Sequence, residues 1–211
     1  MEILKDKKTR KDINKEKVIK AALKFFSEKG IENSKVSEIA ESVGLTERSA
    51  FRYFETKNDL VLASALYFWN NAVLNINNSL LNENYDNLNG LEKIRIILSK
   101  YGDLYHTSKK ELIFCDEAET YLNRIEKAAL LKRRPPLNLE QSNDPLAKAI
   151  REGLKDGSIK NIKEINLIYL NTYDALLGFI QKLSLTDELL SNEDANLRLK
   201  LFINSLIKMY E

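Results

Sequence analysis

The stretch SKVSEIAESVGLTERSAFRYF, residues 34–54, decides the fold. A short amphipathic segment carries four apolar residues on one side: Val36, Ile39, Ala40 and Val43. Gly44 follows, and glycine adopts positive φ without strain, so the sequence favours a tight turn before a second short segment, predicted from Glu47 to Phe54. Two short helices joined by a glycine-containing turn are the pattern of a helix-turn-helix. Its second helix has the size to enter a DNA major groove about 12 Å wide.

The two faces of the second segment predict different roles. Ala50, Phe51 and Phe54 form an apolar side expected to lie partly inside. This leaves a polar set to point away from the core or along its edge: Glu47, Arg48, Ser49, Arg52 and Tyr53. Arginine pairs with guanine O6 and N7, and glutamate accepts from cytosine N4. The pattern alone also fits a solvated surface, because helix-turn-helix geometry occurs in proteins that bind no DNA.

The predicted helix starts place further polar groups near a DNA backbone. Ser34, Thr46 and Thr56 are residues that cap helix N-termini, and the free N–H groups of such termini attract phosphates. Lys57 opens the next helix and is placed for a phosphate as well. We therefore expect Ser34, Thr46 and Lys57 to belong to the same DNA-facing surface.

Helical periodicity continues along the rest of the chain and predicts an all-α protein of about nine helices. One helix precedes the motif from about Asn14 and ends at Gly30. Asp144 and Pro145 predict the start of a later helix. Further helices are predicted at about 57–81, 91–107, 109–129, 163–183 and 192–210, with loops at 82–89 and from 133 to 143.

Composition excludes several classes of protein. The chain has 211 residues, one cysteine (Cys115) and one histidine (His106), so disulfides within one chain and Cys/His zinc sites are not expected. No apolar run suits a signal peptide or a membrane span, which predicts a cytoplasmic protein. Residues 1–35 hold ten Lys and one Arg against six Asp or Glu, and this basic arm favours a local polyanion contact.

Four stretches in the right order resemble one known family. They are residues 21–30 (AALKFFSEKG), 36–40 (VSEIA), 43–46 (VGLT) and 51–60 (FRYFETKNDL). Together they resemble the N-terminal domain of the tetracycline-repressor (TetR) family of transcriptional regulators. The resemblance implies a three-helix helix-turn-helix DNA-binding domain at 1–58, with its motif at 34–54. It also implies a larger helical domain for ligand binding and dimerisation at 59–211.

The resemblance also implies which residues of the motif contact DNA bases and which contact the DNA backbone. Carried over by position, the base-facing residues are Ser37, Glu47, Arg48 and Ser49. The residues implied to touch mainly the DNA backbone are Thr46, Phe51, Arg52, Tyr53 and Lys57. Arg48 is therefore the stronger candidate for reading bases, and Arg52 for holding the backbone.

The last two predicted helices are apolar around most of their circumference. A helix of that kind is buried on two sides, so one side of each can face its own domain and the other a second subunit. Gly178 would allow close helix approach. We expect a homodimer through about 163–183 and 192–210, since two-fold dimers match palindromic sites. The alternative is that both helices form the centre of a monomer.

Aromatic residues in the middle of the chain predict a pocket for a small effector. The candidates are Trp69, Tyr101, Tyr105, Phe114, Tyr121 and Tyr173. The expected function is a ligand-responsive repressor that releases its palindromic operator when the effector binds, an activator being the less favoured reading. A helical adaptor that binds protein is the alternative. No phosphate loop, nucleophile pair or metal-ligand spacing supports an enzyme, and no cofactor is predicted.

Overall fold

The structure is a computed structural model that describes residues 9–81, 83–124, 138–160, 162–186 and 191–211. Within these ranges every regular element is an α-helix. The helices are α1 (Arg10–Lys29), α2 (Val36–Ser42), α3 (Glu47–Phe51), α4 (Lys57–Ser79), α5 (Glu83–Asp86), α6 (Gly90–Gly102), α7 (Leu104–Thr107), α8 (Lys109–Asn123), α9 (Pro145–Asp156), α10 (Ile165–Leu185) and α11 (Asn192–Ile207). The prediction of an all-α fold is confirmed.

Local sequence signals account for most helix boundaries. Gly30 ends α1 as predicted, and Asp144 caps α9 by accepting the N–H groups of Leu146 and Ala147, with Pro145 in the first turn. Thr56 accepts the N–H of Asp59, whose carboxylate accepts the N–H of Thr56 in return. These reciprocal bonds satisfy N–H groups that a helix start leaves without partners.

Four boundary predictions are wrong. Helix α1 begins at Arg10 rather than Asn14, because Thr9 and Asp12 form a capping box that starts the helix earlier. The predicted helix 91–107 is divided into α6 and α7 at Asp103, next to Gly102, where two poor helix formers adjoin. The predicted loop 82–89 contains α5, and α3 ends at Phe51 rather than Phe54. The end of the predicted helix 109–129 and most of the loop after it lie outside the described residues.

The contacts group the chain into two compact units. The first comprises residues 1–70 and 114–130, and the second comprises 71–113 and 131–211. Helices α4 and α8 therefore have residues in both units. The domain boundary at 58–59 falls near the start of α4 and stays a prediction.

The first unit is built around the helix-turn-helix. Helix α2 packs against α1 and α3. The core of this unit contains five residues that are nearly inaccessible to solvent: Val18, Ala22, Phe26, Ile39 and Ala50. Phe26 stacks on Phe114 of α8 with ring centroids 5.5 Å apart. Glu117 of α8 accepts the N–H of Ile31 at 2.9 Å, so the turn after α1 is fixed by a carboxylate. Phe114 is thereby a core residue of this unit.

The second unit is centred on α6. Helix α6 packs against α9, α10 and α11. Its buried residues include Ile94, Ile97, Leu98 and Tyr101, and burial of large apolar side chains is the main stabilising contribution to a helical unit of this size. None of the described helices is long and apolar enough to cross a membrane.

Candidate DNA-binding site

The turn between α2 and α3 has the geometry that the sequence predicts. Gly44 has φ of 72°, its N–H donates to the Glu41 carbonyl, and the Leu45 N–H donates to the Ala40 carbonyl at 2.9 Å. This pair of bonds is a Schellman motif, which needs a left-handed residue at the glycine position. The turn fixes the direction in which α3 leaves α2.

Helix α3 is capped and oriented by Thr46. The Thr46 hydroxyl accepts the N–H of Ser49 at 3.2 Å and lies 3.0 Å from the Ser49 hydroxyl. The prediction that Thr46 is the N-cap is confirmed. Both hydroxyls are engaged with each other, so Ser49 and Thr46 form one polar edge at the start of α3.

One face of α3 is buried and the other is exposed. Ala50 and Phe54 are buried, at 1% and 5% exposure, and anchor α3 to the core. Glu47, Arg48, Phe51 and Arg52 are exposed, while Ser49 and Tyr53 are half-buried. Phe51, expected to lie partly inside, is 42% exposed. With helical spacing, the residues at 47, 48, 51 and 52 share one outward face.

The two arginines on this face are available to an external partner. Within the described residues, no hydrogen bond or ion pair engages the guanidinium of Arg48 or Arg52, whereas Lys29 and Glu38 of the same unit pair at 3.5 Å. A pair of arginines without a hydrogen-bonding partner in the described residues, beside an exposed aromatic ring, fits a polyanion with planar groups. Ser37 and Lys57 are half-buried.

Ser34 does not belong to this surface. The N-cap of α2 is Lys35, which makes no side-chain cap bond, so the prediction of Ser34 as N-cap is wrong. Ser34 is fully buried, and its hydroxyl donates to the Gly30 carbonyl at 2.8 Å. That bond holds the turn between α1 and α2 and leaves no hydroxyl surface for a phosphate.

One cation near the motif was not predicted from the sequence. Lys15 of α1 is exposed, and its ammonium lies 5.6 Å from the centroid of the Phe54 ring. Lys15 already lies within the helix predicted from Asn14, and the packing of α1 against the motif is what brings it beside the Phe54 ring.

The six aromatic pocket candidates do not share one unit. Trp69, Phe114 and Tyr121 are in the first unit, whereas Tyr101, Tyr105 and Tyr173 are in the second. Tyr101 and Tyr173 meet edge to face with centroids 5.5 Å apart and hydroxyl oxygens 3.4 Å apart. The assembly of the candidates into one effector pocket stays a prediction.

A largely buried polar network surrounds Tyr101 and Tyr173. Asp144 accepts the hydroxyl of Tyr173 at 2.7 Å and also accepts the hydroxyls of Tyr169 and Ser142. The same carboxylate caps α9. Tyr169 is fully buried and was not a sequence candidate. Five donors thus satisfy Asp144, which joins α10 to the start of α9 and stabilises the unit.

Tyr101 gives this network a measurable pH dependence. Burial raises the pKa of Tyr101 from 10 to about 12. The folded state favours the neutral hydroxyl. The contribution of this group to the free energy of unfolding is therefore present in full below pH 10 and is lost as pH rises towards 12. We expect the free energy of unfolding to fall by about 2–3 kcal/mol through this group over that range. Urea titrations at pH values across this range measure the free energy of unfolding. It should fall less with pH in Tyr101→Phe than in the unsubstituted chain. Equal falls in the two proteins would contradict the role given to Tyr101.

Comparison with known proteins agrees with the helix-turn-helix geometry. Residues 18–64 match the model of bacterial regulatory proteins of the tetR family. The chain is 33% identical over 86 residues to the uncharacterized HTH-type transcriptional regulator YdgC of Bacillus subtilis (strain 168). That match covers 41% of this chain and 43% of YdgC, so the chain spans less than half the length of this curated relative.

Solved structures resemble the chain over nearly its whole length. The fatty acid degradation regulator FadR from Bacillus halodurans is 22% identical with a TM-score of 0.68, covering 96% of this chain and 97% of that one. The regulator FadR from Bacillus subtilis in complex with stearoyl-CoA is 18% identical with a TM-score of 0.61, covering 92% and 96%. At these identities the likeness establishes the fold.

Fold and motif together define an all-α protein with an N-terminal helix-turn-helix. Residues 18–64 are similar to bacterial regulatory proteins of the tetR family.

Proposed function

We propose that the chain is a transcriptional repressor that binds a palindromic DNA operator as a homodimer and releases it when a small molecule binds the second unit. The observation that carries the DNA-binding part is the outward face of α3, where Arg48 and Arg52 lack partners among the described residues. Two such helices in one dimer would occupy successive major grooves about 34–36 Å apart.

The proposed contacts are those carried over by position from the resemblance, with one residue removed and one added. Ser37, Glu47, Arg48 and Ser49 face bases. The backbone is held by Thr46, Phe51, Arg52, Tyr53 and Lys57. Ser34 is left out because it is buried. Lys15 is added as a phosphate contact, because its exposed ammonium lies beside Phe54 at the end of the motif.

A mobility-shift titration tests this function against the protein-binding adaptor. The duplex is the intergenic DNA beside the gene for this chain, with a scrambled duplex as control. A dimer that neutralises six or more phosphates loses roughly 10³-fold in affinity between about 50 and 200 mM salt. We expect specific retardation with that salt dependence. Absence of retardation at low salt would refute DNA binding and favour the adaptor.

The proposed dimer involves the exposed apolar residues of the last two long helices. Leu167 and Leu185 of α10 and Leu197 and Leu201 of α11 are 46–58% exposed. Phe179 stacks on Phe202 with centroids 4.2 Å apart. Exposed leucines on both of these helices support a contact with another protein chain. Light scattering on the purified chain measures the oligomer directly.

The proposed effector is a small organic molecule, and stearoyl-CoA is the first compound to test. The reason is that a protein of the same fold is described in complex with it. A ligand that binds only the folded chain, present at a free concentration of about 100 times its Kd, raises the free energy of unfolding by about 2.7 kcal/mol. Thermal shift therefore detects binding, and loss of the mobility shift on adding the same compound would identify it as an inducer.

A further inference from the structure

Phe51 occupies the middle of the outward face of α3. At about 100° per residue, its side chain projects about 40° from Glu47 and about 60° from Arg48, so it lies between them. Arg52 projects about 40° beyond Arg48, at the edge of the same face. Glu47 and Arg48 face bases in the proposed function. A side chain between them, one turn further along the helix, therefore has base edges rather than phosphates within reach.

The Phe51 ring is accessible to a partner outside the chain. Phe51 is 42% exposed, although Ala50 and Phe54 beside it are only 1% and 5% exposed. Within the described residues no ring stacking or cation–π contact engages Phe51, whereas the Phe54 ring lies against the Lys15 ammonium. Among the described residues of the first unit, Phe51 and Ile13 are the large apolar side chains that stay exposed. The ring is thus available to an apolar group of a bound molecule.

The chemistry of this side chain excludes a hydrogen bond to a phosphate. Phenylalanine has neither a donor nor an acceptor beyond its backbone, so a phosphate oxygen offers it no polar partner. The apolar group that the major groove displays is the C5-methyl of thymine, and phenylalanine is one of the side chains that contact it. Such a contact removes apolar surface of both groups from water, which is favourable. The thymine methyl is therefore the base-edge group that complements the Phe51 ring.

We propose that Phe51 reads a thymine in each half of the operator by packing its ring on the C5-methyl group. This inference rests on the DNA binding of the proposed function, and it moves Phe51 from the backbone contacts to the base contacts. Arg48 and Phe51 are about 4.5 Å apart along the axis of α3, at about 1.5 Å per residue. Successive base pairs are about 3.4 Å apart. The thymine therefore lies within about two base pairs of the base that Arg48 reads.

A thymine-to-uracil scan tests the contact, because deoxyuridine lacks only the C5-methyl and keeps the pairing edge of thymine. The probe is the intergenic duplex of the mobility-shift titration, with each thymine that a nuclease footprint protects replaced in turn. We expect one thymine per half-site at which loss of the methyl weakens binding about fourfold, as for one buried CH₂ group. Replacing both thymines should weaken binding about 15-fold.

Phe51→Ala identifies the side chain that senses the methyl, and Tyr53→Phe is its matched control. In Phe51→Ala the same uracil substitution should change the affinity by less than about twofold, because the ring that packs on the methyl is absent. Tyr53→Phe removes only a hydroxyl from the neighbouring aromatic residue, so the loss of affinity on uracil substitution should persist. Circular dichroism checks that each variant is folded.

Photocross-linking detects the contact without any substitution in the protein. 5-Iododeoxyuridine at the identified thymine carries iodine in place of the methyl group, and irradiation links that base to an aromatic side chain in contact with it. Mass spectrometry of the digested adduct should identify Phe51. An adduct at Tyr53 instead would overturn the assignment. This measurement decides the question if Phe51→Ala binds too weakly to be titrated.

The outcomes separate this inference from the function on which it rests. If the operator is retained specifically but no thymine shows a loss that depends on Phe51, the ring packs on the sugar backbone and this inference alone is overturned. If no duplex is retained even at low salt, the proposed DNA binding is overturned as well. A loss on uracil substitution that disappears in Phe51→Ala, together with an adduct at Phe51, supports the thymine contact.

Discussion

Replacing Gly90 with alanine is expected to lower the free energy of unfolding by more than about 3 kcal/mol. A Cβ at Gly90 would lie 2.2 Å from the Cα and the N of Gly153 and 2.6 Å from the Ala149 carbonyl oxygen. All three obstacles are backbone atoms of α9, which cannot rotate away as the tip of a side chain can. Close contact between α6 and α9 therefore depends on two facing glycines.

The hydrogen bonds at this crossing oppose any relaxation. Asp156 accepts the Gly90 N–H at 2.9 Å, and the Ser158 hydroxyl accepts the Leu91 N–H at 3.1 Å. If α6 moved outward to admit the methyl group, both N–H groups would lose their acceptors. Each lost bond at a part-buried site costs about 1 kcal/mol or more, which adds to the steric cost.

Gly102→Ala is the matched control, since Gly102 is the last residue of the same helix. Its Cβ would meet the δ-methyl groups of Ile203 and Leu199 at 3.0 and 3.2 Å, and both can shift by a few tenths of an ångström. We expect a change below about 1 kcal/mol. Urea unfolding followed by circular dichroism measures both variants. Equal losses at the two positions would show that the Gly90–Gly153 contact is not the cause.

Replacing Arg48 with alanine is expected to remove most of the sequence preference in DNA binding. A bidentate arginine–guanine pair contributes about 1–3 kcal/mol of discrimination, and a dimer loses two such pairs, or about 2–6 kcal/mol. Arg48 is exposed on α3, so the substitution removes little packing inside the chain. The operator should therefore lose affinity while the scrambled duplex keeps it.

Lys57→Ala provides the comparison that separates base reading from backbone contact. Lys57 begins α4 and is half-buried. A phosphate contact has no sequence information, so its loss should weaken operator and scrambled DNA alike and reduce the salt slope by about one per subunit. Competition titrations at several salt concentrations measure both quantities. Parallel losses for Arg48→Ala on the two duplexes would refute its base-reading role.

Local signals were sufficient to predict the helix-turn-helix. Gly44 and Thr46 act within a few residues: glycine supplies positive φ, and the threonine hydroxyl caps the next helix. Ser34 shows the limit of such signals. A serine before a helix is a good capping residue, yet its hydroxyl bonds to the Gly30 carbonyl because the turn after α1 brings that carbonyl closer.

Contacts distant in sequence could not be predicted. Tyr169 pairs with Asp144 across 25 residues, and Glu117 caps the turn at Ile31 across 86 residues. No periodicity within one helix encodes such pairs, because they depend on where other helices pack. Tyr101 and Tyr173 are predictable as aromatic candidates, but Tyr169 and the Asp144 carboxylate that it shares with Tyr173 are not.

The sequence by itself determined the helix-turn-helix at residues 34–54, since its turn, cap and apolar spacing are local properties of the chain. Only the tertiary structure decided which side of α10 is exposed. That helix is apolar around most of its circumference, so its pattern has no unique inward side. Packing against α6 and α11 buries one side and leaves the side with Asn171, Gly178 and Lys182 exposed.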